Sequence, residues 1–235
     1  MWYKVKRIMV WDKQVRPSWW TPWANTLAYY PLTSTTTVND MSWNGKNFSN
    51  TNVTFWTYQW VDCAYFSWNN CQLRNTSLPD VRSTNWTVLC WSYFVWNWST
   101  GSWNLDEILW RWWWNTWVRF DCYGSSSSYL KFLLSWCYPE YNLKDVSKWV
   151  LSVSTYNATT YERNFYINWT LQCTWSWQMN SSYVNYLTMS NTQDNSSSSS
   201  KRWKGWASEL ILENKIWTAD EILNYYNQTK SKYWL

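Results

Sequence analysis

Apolar and polar residues alternate along this chain in short stretches, and clusters of Ser, Thr, Asn, Asp and Pro separate the stretches. A period of two marks a strand with one face turned inward, because successive side chains of a strand point to opposite faces. The run Thr26-Leu27-Ala28-Tyr29-Tyr30-Pro31-Leu32 is the first clear case. Further strands are predicted at 53–58, 63–67, 71–75, 86–95, 108–110, 118–123, 129–134, 148–156, 162–167, 170–173, 183–189 and 206–214. Many short strands with turn residues between them predict an all-β, two-sheet antiparallel sandwich of the jelly-roll kind. One short helix closes the chain. Thr218-Ala219-Asp220-Glu221 is a capping box, which starts a helix over 219–230 with Ile222, Leu223 and Tyr226 as its apolar face. The tracts Ser125–Ser128 and Ser196–Ser200 read as exposed hairpin loops. Residues 1–25, broken by Pro17 and Pro22, read as lead-in or adaptor strands, and 26–235 as one domain.

A length of 235 residues suits one sandwich with a substantial core. The formal charge of +5 is modest and its lysines and arginines are scattered. The two dense groups, Lys4-Lys6-Arg7 and Lys201-Arg202-Lys204, read as solvated surface, so no nucleic-acid partner is expected. No stretch reads as a signal peptide or a membrane span, and no membrane insertion is expected. Cys63, Cys71, Cys90, Cys122, Cys137 and Cys173 form no C-x-x-C pair, and the chain has no histidine to complete a zinc site. Their wide spacing reads as small core residues carrying free thiols rather than as a disulfide framework.

Tryptophan changes the picture. There are 28 Trp and only four Gly, an inversion of ordinary usage. Several Trp stand where a turn wants glycine. Asn168-Trp169 lies between Phe165-Tyr166-Ile167 and Thr170-Leu171, where a two-residue hairpin turn is expected. Asn-Gly is the usual choice there because both central residues need positive φ. Trp43 in Ser42-Trp43-Asn44-Gly45, Trp136 and the run Trp112-Trp113-Trp114 have similar settings. Some bacterial lineages and their viruses read UGA as glycine, and a gene of that kind translated with UGA as tryptophan yields this pattern. The alternative is an aromatic-rich protein with Trp platforms for sugars. Trp86, Trp91, Trp149 and Trp217 fit strand or pre-helix settings and read as genuine.

Four stretches, in order, resemble one family. Leu27-Ala28-Tyr29-Tyr30-Pro31-Leu32 followed by Asn39-Asp40-Met41-Ser42-Trp43-Asn44-Gly45 is similar to the opening strand and loop of laminin-G-like domains in the concanavalin A-like superfamily. Trp86–Phe94 resembles the family's central strand. Trp149–Val153 through Tyr166–Leu171 resembles a hairpin, with Trp169 where the family has Gly. Ser208–Lys215 with Thr218–Ile222 resembles the family's ending. The lead-in, with Val15-Arg16-Pro17, is similar to amino-terminal adaptors of phage structural proteins.

The resemblance implies a binding module rather than an enzyme, with a glycan or cell-surface ligand as partner and placement on a virion or at an extracellular surface. Other virion proteins are further expected partners, and a purely structural decoration protein is the alternative. Tyr29, Tyr123, Tyr129 and Tyr183 are the candidate sugar-stacking residues. No cofactor is expected; Asp40, Asn39 and Asn44 are candidate oxygen ligands for calcium, or else an Asx turn that shapes their loop. Catalysis lacks its usual means. Histidine is absent, and Asp106 and Glu107 are adjacent, which on a strand sends them to opposite faces. Glucanases of the superfamily use an E-x-D-x-E pattern, which this chain lacks.

Overall fold

In the computed structural model the described residues are 24–67, 71–79, 83–94, 105–107, 121–124, 129–133, 140–142, 148–176, 187–189 and 205–235. The expected lead-in, the strand at 108–110, Trp112–Trp114, Trp136, Tyr183 and the tract 196–200 lie outside them. The elements in chain order are β1 (Thr26–Tyr30), β2 (Ser49–Thr51), β3 (Thr54–Tyr58), β4 (Val61–Phe66), β5 (Gln72–Asn75), β6 (Trp86–Phe94), β7 (Leu105–Glu107) and β8 (Asp121–Gly124). They continue as β9 (Tyr129–Leu133), β10 (Glu140–Asn142), β11 (Trp149–Tyr156), β12 (Glu162–Ile167), β13 (Thr170–Ser176), β14 (Leu187–Met189), β15 (Gly205–Glu213) and α1 (Ala219–Thr229). The short strands β2, β7 and β10 were not expected from the pattern. At three residues each they are too short to show a period.

The fold is an all-β sandwich of antiparallel sheets with one short C-terminal helix. The large sheet has the order β13-β12-β11-β6-β15-β4-β3. Its long strand β15 pairs β4 along Gly205–Ala207 and β1 along Leu210–Glu213, so two strands share one of its edges. A three-stranded sheet, β14-β5-β2, and a four-stranded sheet, β10-β9-β8-β7, make up the rest.

Period two does its work in the large sheet, but on both faces. Trp86, Val88 and Cys90 of β6 join Leu210, Leu212, Val150 and Tyr156 in one core, which also takes in Leu73, Leu187 and Met189 of the three-stranded sheet. The alternate residues Leu89, Trp91 and Tyr93 join Trp149, Leu151, Val153 and Ile211 in a second core, with Trp217, Ile222, Tyr225 and Tyr233 from the C-terminal segment. Ser152 and Ser154, whose alternation suggests a solvent face, are therefore buried with the rest of β11. A sheet covered on both sides hides its polar alternates as well.

The capping box is present. Thr218 Oγ1 accepts from the Glu221 N–H (3.2 Å) and Glu221 Oε2 accepts from the Thr218 N–H (2.9 Å). The buried face of α1 is Ile222, Tyr225 and Thr229 rather than Ile222, Leu223 and Tyr226. The stripe turns because Tyr225 packs edge-on against Trp217 (5.4 Å) while Tyr226 lies over the rim of Trp91 (5.9 Å). Cys63, Cys71 and Cys90 are buried thiols, as expected of small core residues. Cys173 is disulfide-bonded, which corrects the all-thiol reading.

Left-handed backbone sorts the tryptophans. Trp43 (φ 70°), Trp60 (φ 64°) and Trp234 (φ 60°) adopt it, and their side chains are 82%, 68% and 69% exposed. Trp86, Trp91, Trp149 and Trp217 are buried. At Asn168-Trp169 only Asn168 is left-handed (φ 58°), so the expected pair of positive φ values is not there. It is found instead at Gln59-Trp60 (48° and 64°), the two-residue link between β3 and β4, where Tyr58 pairs Val61. That is the turn for which Asn-Gly is the preferred sequence.

Candidate functional site

The loop after β1 is built around one carboxylate. Asp40 Oδ1 accepts from the N–H groups of Tyr29 (3.0 Å) and Ser42 (2.9 Å), and Oδ2 accepts from the Lys46 N–H (2.9 Å). Asn47 Oδ1 in turn accepts from the Asp40 N–H (2.8 Å). A carboxylate holding three backbone donors fixes where the loop goes. Asn44 folds back on β1, its Nδ2 donating to the carbonyls of Thr26 (2.7 Å) and Leu27 (3.2 Å). The Lys46 carbonyl accepts from the Tyr30 hydroxyl and from Asn75 Nδ2, so the backbone of Lys46 is held at both ends. Asn39 is exposed, and its N–H goes to the Thr36 carbonyl. Of the calcium candidates, Asp40 and Asn44 thus meet in one loop through bonds that shape it, while Asn39 stands outside that set.

Beside this loop lies a cleft of about 410 Å³, lined by Ala24, Asn25, Thr26, Leu27, Asn44, Lys46, Pro79 and Asn214. The β1–β15 edge makes its floor. Asn214 follows the last residue of β15 and donates its N–H to the Asn25 carbonyl (2.7 Å). Thr26 is tied to the same strand, its hydroxyl donating to Glu213 Oε1 (2.8 Å). Three asparagines and one lysine therefore stand in its lining, and among the described residues no Asp or Glu does. Sequence reading picked out Asn44 but missed Asn25, Lys46 and Asn214. These residues are far apart in the chain, and the folding of the loop back on β1 and the pairing of β1 with β15 bring them together.

The stacking candidates are dispersed. Tyr29 is fully buried in the core under the helix and is removed from any ligand. Tyr123 on β8 and Tyr129 on β9 flank residues 125–128 in one antiparallel pair, Tyr123 opposite Lys131 and Tyr129 opposite Asn142. A different aromatic strip is on view at the β3–β4 end of the large sheet. Tyr58 stacks on Trp206 (3.7 Å, 7°), Trp206 meets Tyr65 (5.1 Å), and Tyr65 meets the half-exposed Trp56 (5.3 Å). Burial beside Tyr93 pushes the Tyr58 hydroxyl up to about 12, so it remains a donor at neutral pH. Strand register also pairs Glu107 of β7 with Asp121 of β8. No group of three or more His, Cys, Asp or Glu that would hold a metal occurs among the described residues. Nor is any helix among them long and apolar enough to cross a membrane.

The sequence matches no protein-family model and no curated protein. Solved structures do share the fold. The binding domain of Paraclostridial Mosquitocidal Protein 1 superposes with a TM-score of 0.62 at 10% identity, covering 86% of this chain and 52% of that one. The botulinum neurotoxin serotype D binding domain gives 0.58 at 14% identity, over 86% and 51% of the two chains. The botulinum neurotoxin type G receptor-binding domain gives 0.56 at 15% identity, over 87% and 51%. This chain spans about half the length of the domains it resembles. At these identities the likeness is one of fold: the chain has the β-sandwich found in toxin receptor-binding domains.

Proposed function

We propose that this chain is a non-catalytic, concanavalin A-like binding module that recognises carbohydrate or another ligand of a cell surface. Its setting is a phage virion or another exterior protein. The observation that carries the reading is the fold, shared over 86–87% of the chain with domains whose task is to bind. One similar structure, of botulinum neurotoxin type C, is described by its dependence on two ganglioside molecules for cell entry. A built, polar cleft at the β1–β15 edge adds a place for a ligand. The disulfide at Cys173 suits an oxidising exterior. A broad glycan panel, run with and without calcium, tests the reading. Binding is expected in both conditions, because three N–H groups already occupy the Asp40 carboxylate. Silence across the panel would favour a purely structural virion role.

The same reading takes Trp43, Trp60 and Trp234 as glycines in the native protein. Its support is their left-handed backbone together with rings left largely in solvent. A glycoside hydrolase of the same fold is the second reading, and it rests on the register that pairs Glu107 with Asp121 across β7 and β8. Release of reducing sugar from bound glycans, abolished by Glu107→Gln, would put catalysis in place of binding.

A further inference from the structure

The cleft carries more than a place to bind, because its chemistry is one-sided. Among the described residues Lys46 is the one charged member of its lining, which holds no Asp or Glu. Among the described residues no carboxylate pairs with the Lys46 ammonium, whereas Lys215 pairs with Glu221. Around it stand the amides of Asn25, Asn44 and Asn214, which offer both donors and acceptors. Asn44 is held by its Nδ2 bonds to β1, which leaves its Oδ1 as an acceptor fixed in place. The Lys46 backbone is pinned through Asp40, Tyr30 and Asn75, so the ammonium starts from a fixed root. A volume of about 410 Å³ suits one or two sugar rings. None of the described lining residues is tryptophan, so these residues are the same whichever way the exposed Trp positions are read.

We infer that this cleft binds a carboxylate-bearing sugar, with Lys46 on the carboxylate and the three asparagines on the hydroxyls. The assignment rests on the carbohydrate-binding reading above and narrows it to acidic sugars at a named place. Amides that donate and accept match the mixed character of sugar hydroxyls, and an ammonium with no acid beside it among the described residues matches an anion.

Methyl glucuronide and methyl glucoside, which differ by one carboxylate, are the probes. Each is titrated into the full chain while the amide resonances of Asn25, Asn44, Lys46 and Asn214 are followed, for the wild type and for Lys46→Gln. The glucuronide is expected to shift these resonances and to bind about tenfold more tightly than the glucoside, the size of one charge-assisted hydrogen bond. Lys46→Gln should erase that preference, and added salt should reduce it in the wild type. Equal binding of both sugars, or a preference that survives Lys46→Gln, overturns the charge assignment. Glycan-panel binding with no shift at the cleft overturns the location and leaves the carbohydrate reading standing. Silence in both experiments removes that reading as well.

Discussion

Trp60 holds a left-handed backbone and exposes about two thirds of its ring, so it incurs strain and returns little burial. Leu32 is also left-handed (φ 52°), but its side chain is wholly buried, and core contacts offset the strain. The comparison decides how to read the two residues. A left-handed residue with a Cβ costs about 1–2 kcal/mol relative to glycine, and a solvated indole recovers almost none of it. In recombinant protein carrying tryptophan, Trp60→Gly is therefore expected to raise stability by about 1 kcal/mol in chemical denaturation. A loss there would mean that the ring contributes something the backbone conformation conceals. Trp91 behaves oppositely. It stacks on Tyr233 (4.0 Å) beneath the helix, and Trp91→Ala should cost about 3–5 kcal/mol. Peptide masses from the native source test the recoding itself. The fragment 47–74, which carries Trp56, Trp60 and Trp68, should show a glycine mass at position 60, and the fragment 164–201, which carries Trp169, Trp175 and Trp177, a glycine mass at position 169. Tryptophan masses in both would end that interpretation.

Elements that pack by local rules were legible, and those made by distant pairing were not. The capping box of α1 is a four-residue signal whose partners lie within one turn, and it appears as the pattern requires. Thr218→Ala should cost about 1 kcal/mol, and because α1 packs on Trp91 through Tyr226 and buries Ile222 and Tyr225 in the same core, the loss should appear in global unfolding rather than as local fraying. A change confined to helix signals in hydrogen exchange would show that the cover is dispensable. Strands β6, β11, β12 and β15 were also clear, since six to nine residues are enough to show a period. The β3–β4 turn was missed because Gln59-Trp60 hides the turn chemistry that Asn-Gly announces. With that hairpin unseen, the Tyr58–Tyr65–Trp206 strip could not be assembled, and buried Tyr29 was nominated instead. The cleft is illegible for a simpler reason. Asn44 reaches residue 25 only when its loop folds back on β1, and Asn214 only when β15 pairs with β1.

For the whole molecule, the double-sided burial of the large sheet sets a response to pH. The chain has no histidine, so no side chain has an ordinary pKa between about 5 and 8. The alkaline side differs. Burial pushes the Cys63 thiol from 9.0 up to about 12 and raises the Cys90 thiol too. Tyr225 and Tyr233, buried under the same sheet, are raised above 10.0 chiefly by the same desolvation. In each case the folded state favours the neutral, protonated form. The stability that comes with it is complete below the unfolded pKa, near 9 for the thiols, and is lost as pH climbs toward the folded value. Arg163 works in the other direction. Burial lowers it from 12.5 to about 10, so folding is relieved as pH rises through that range. Arg163 thus stands against both thiols and a set of buried tyrosines, and the thiols begin to act at lower pH. The melting temperature should therefore hold from about pH 6 to 9 and fall beyond it. Cys63→Ala should start less stable, from the loss of a buried side chain, yet fall less steeply between pH 9 and 11. A variant whose alkaline slope matches the wild type would place the lability elsewhere, and Tyr225→Phe would then be the next residue to test in the same core.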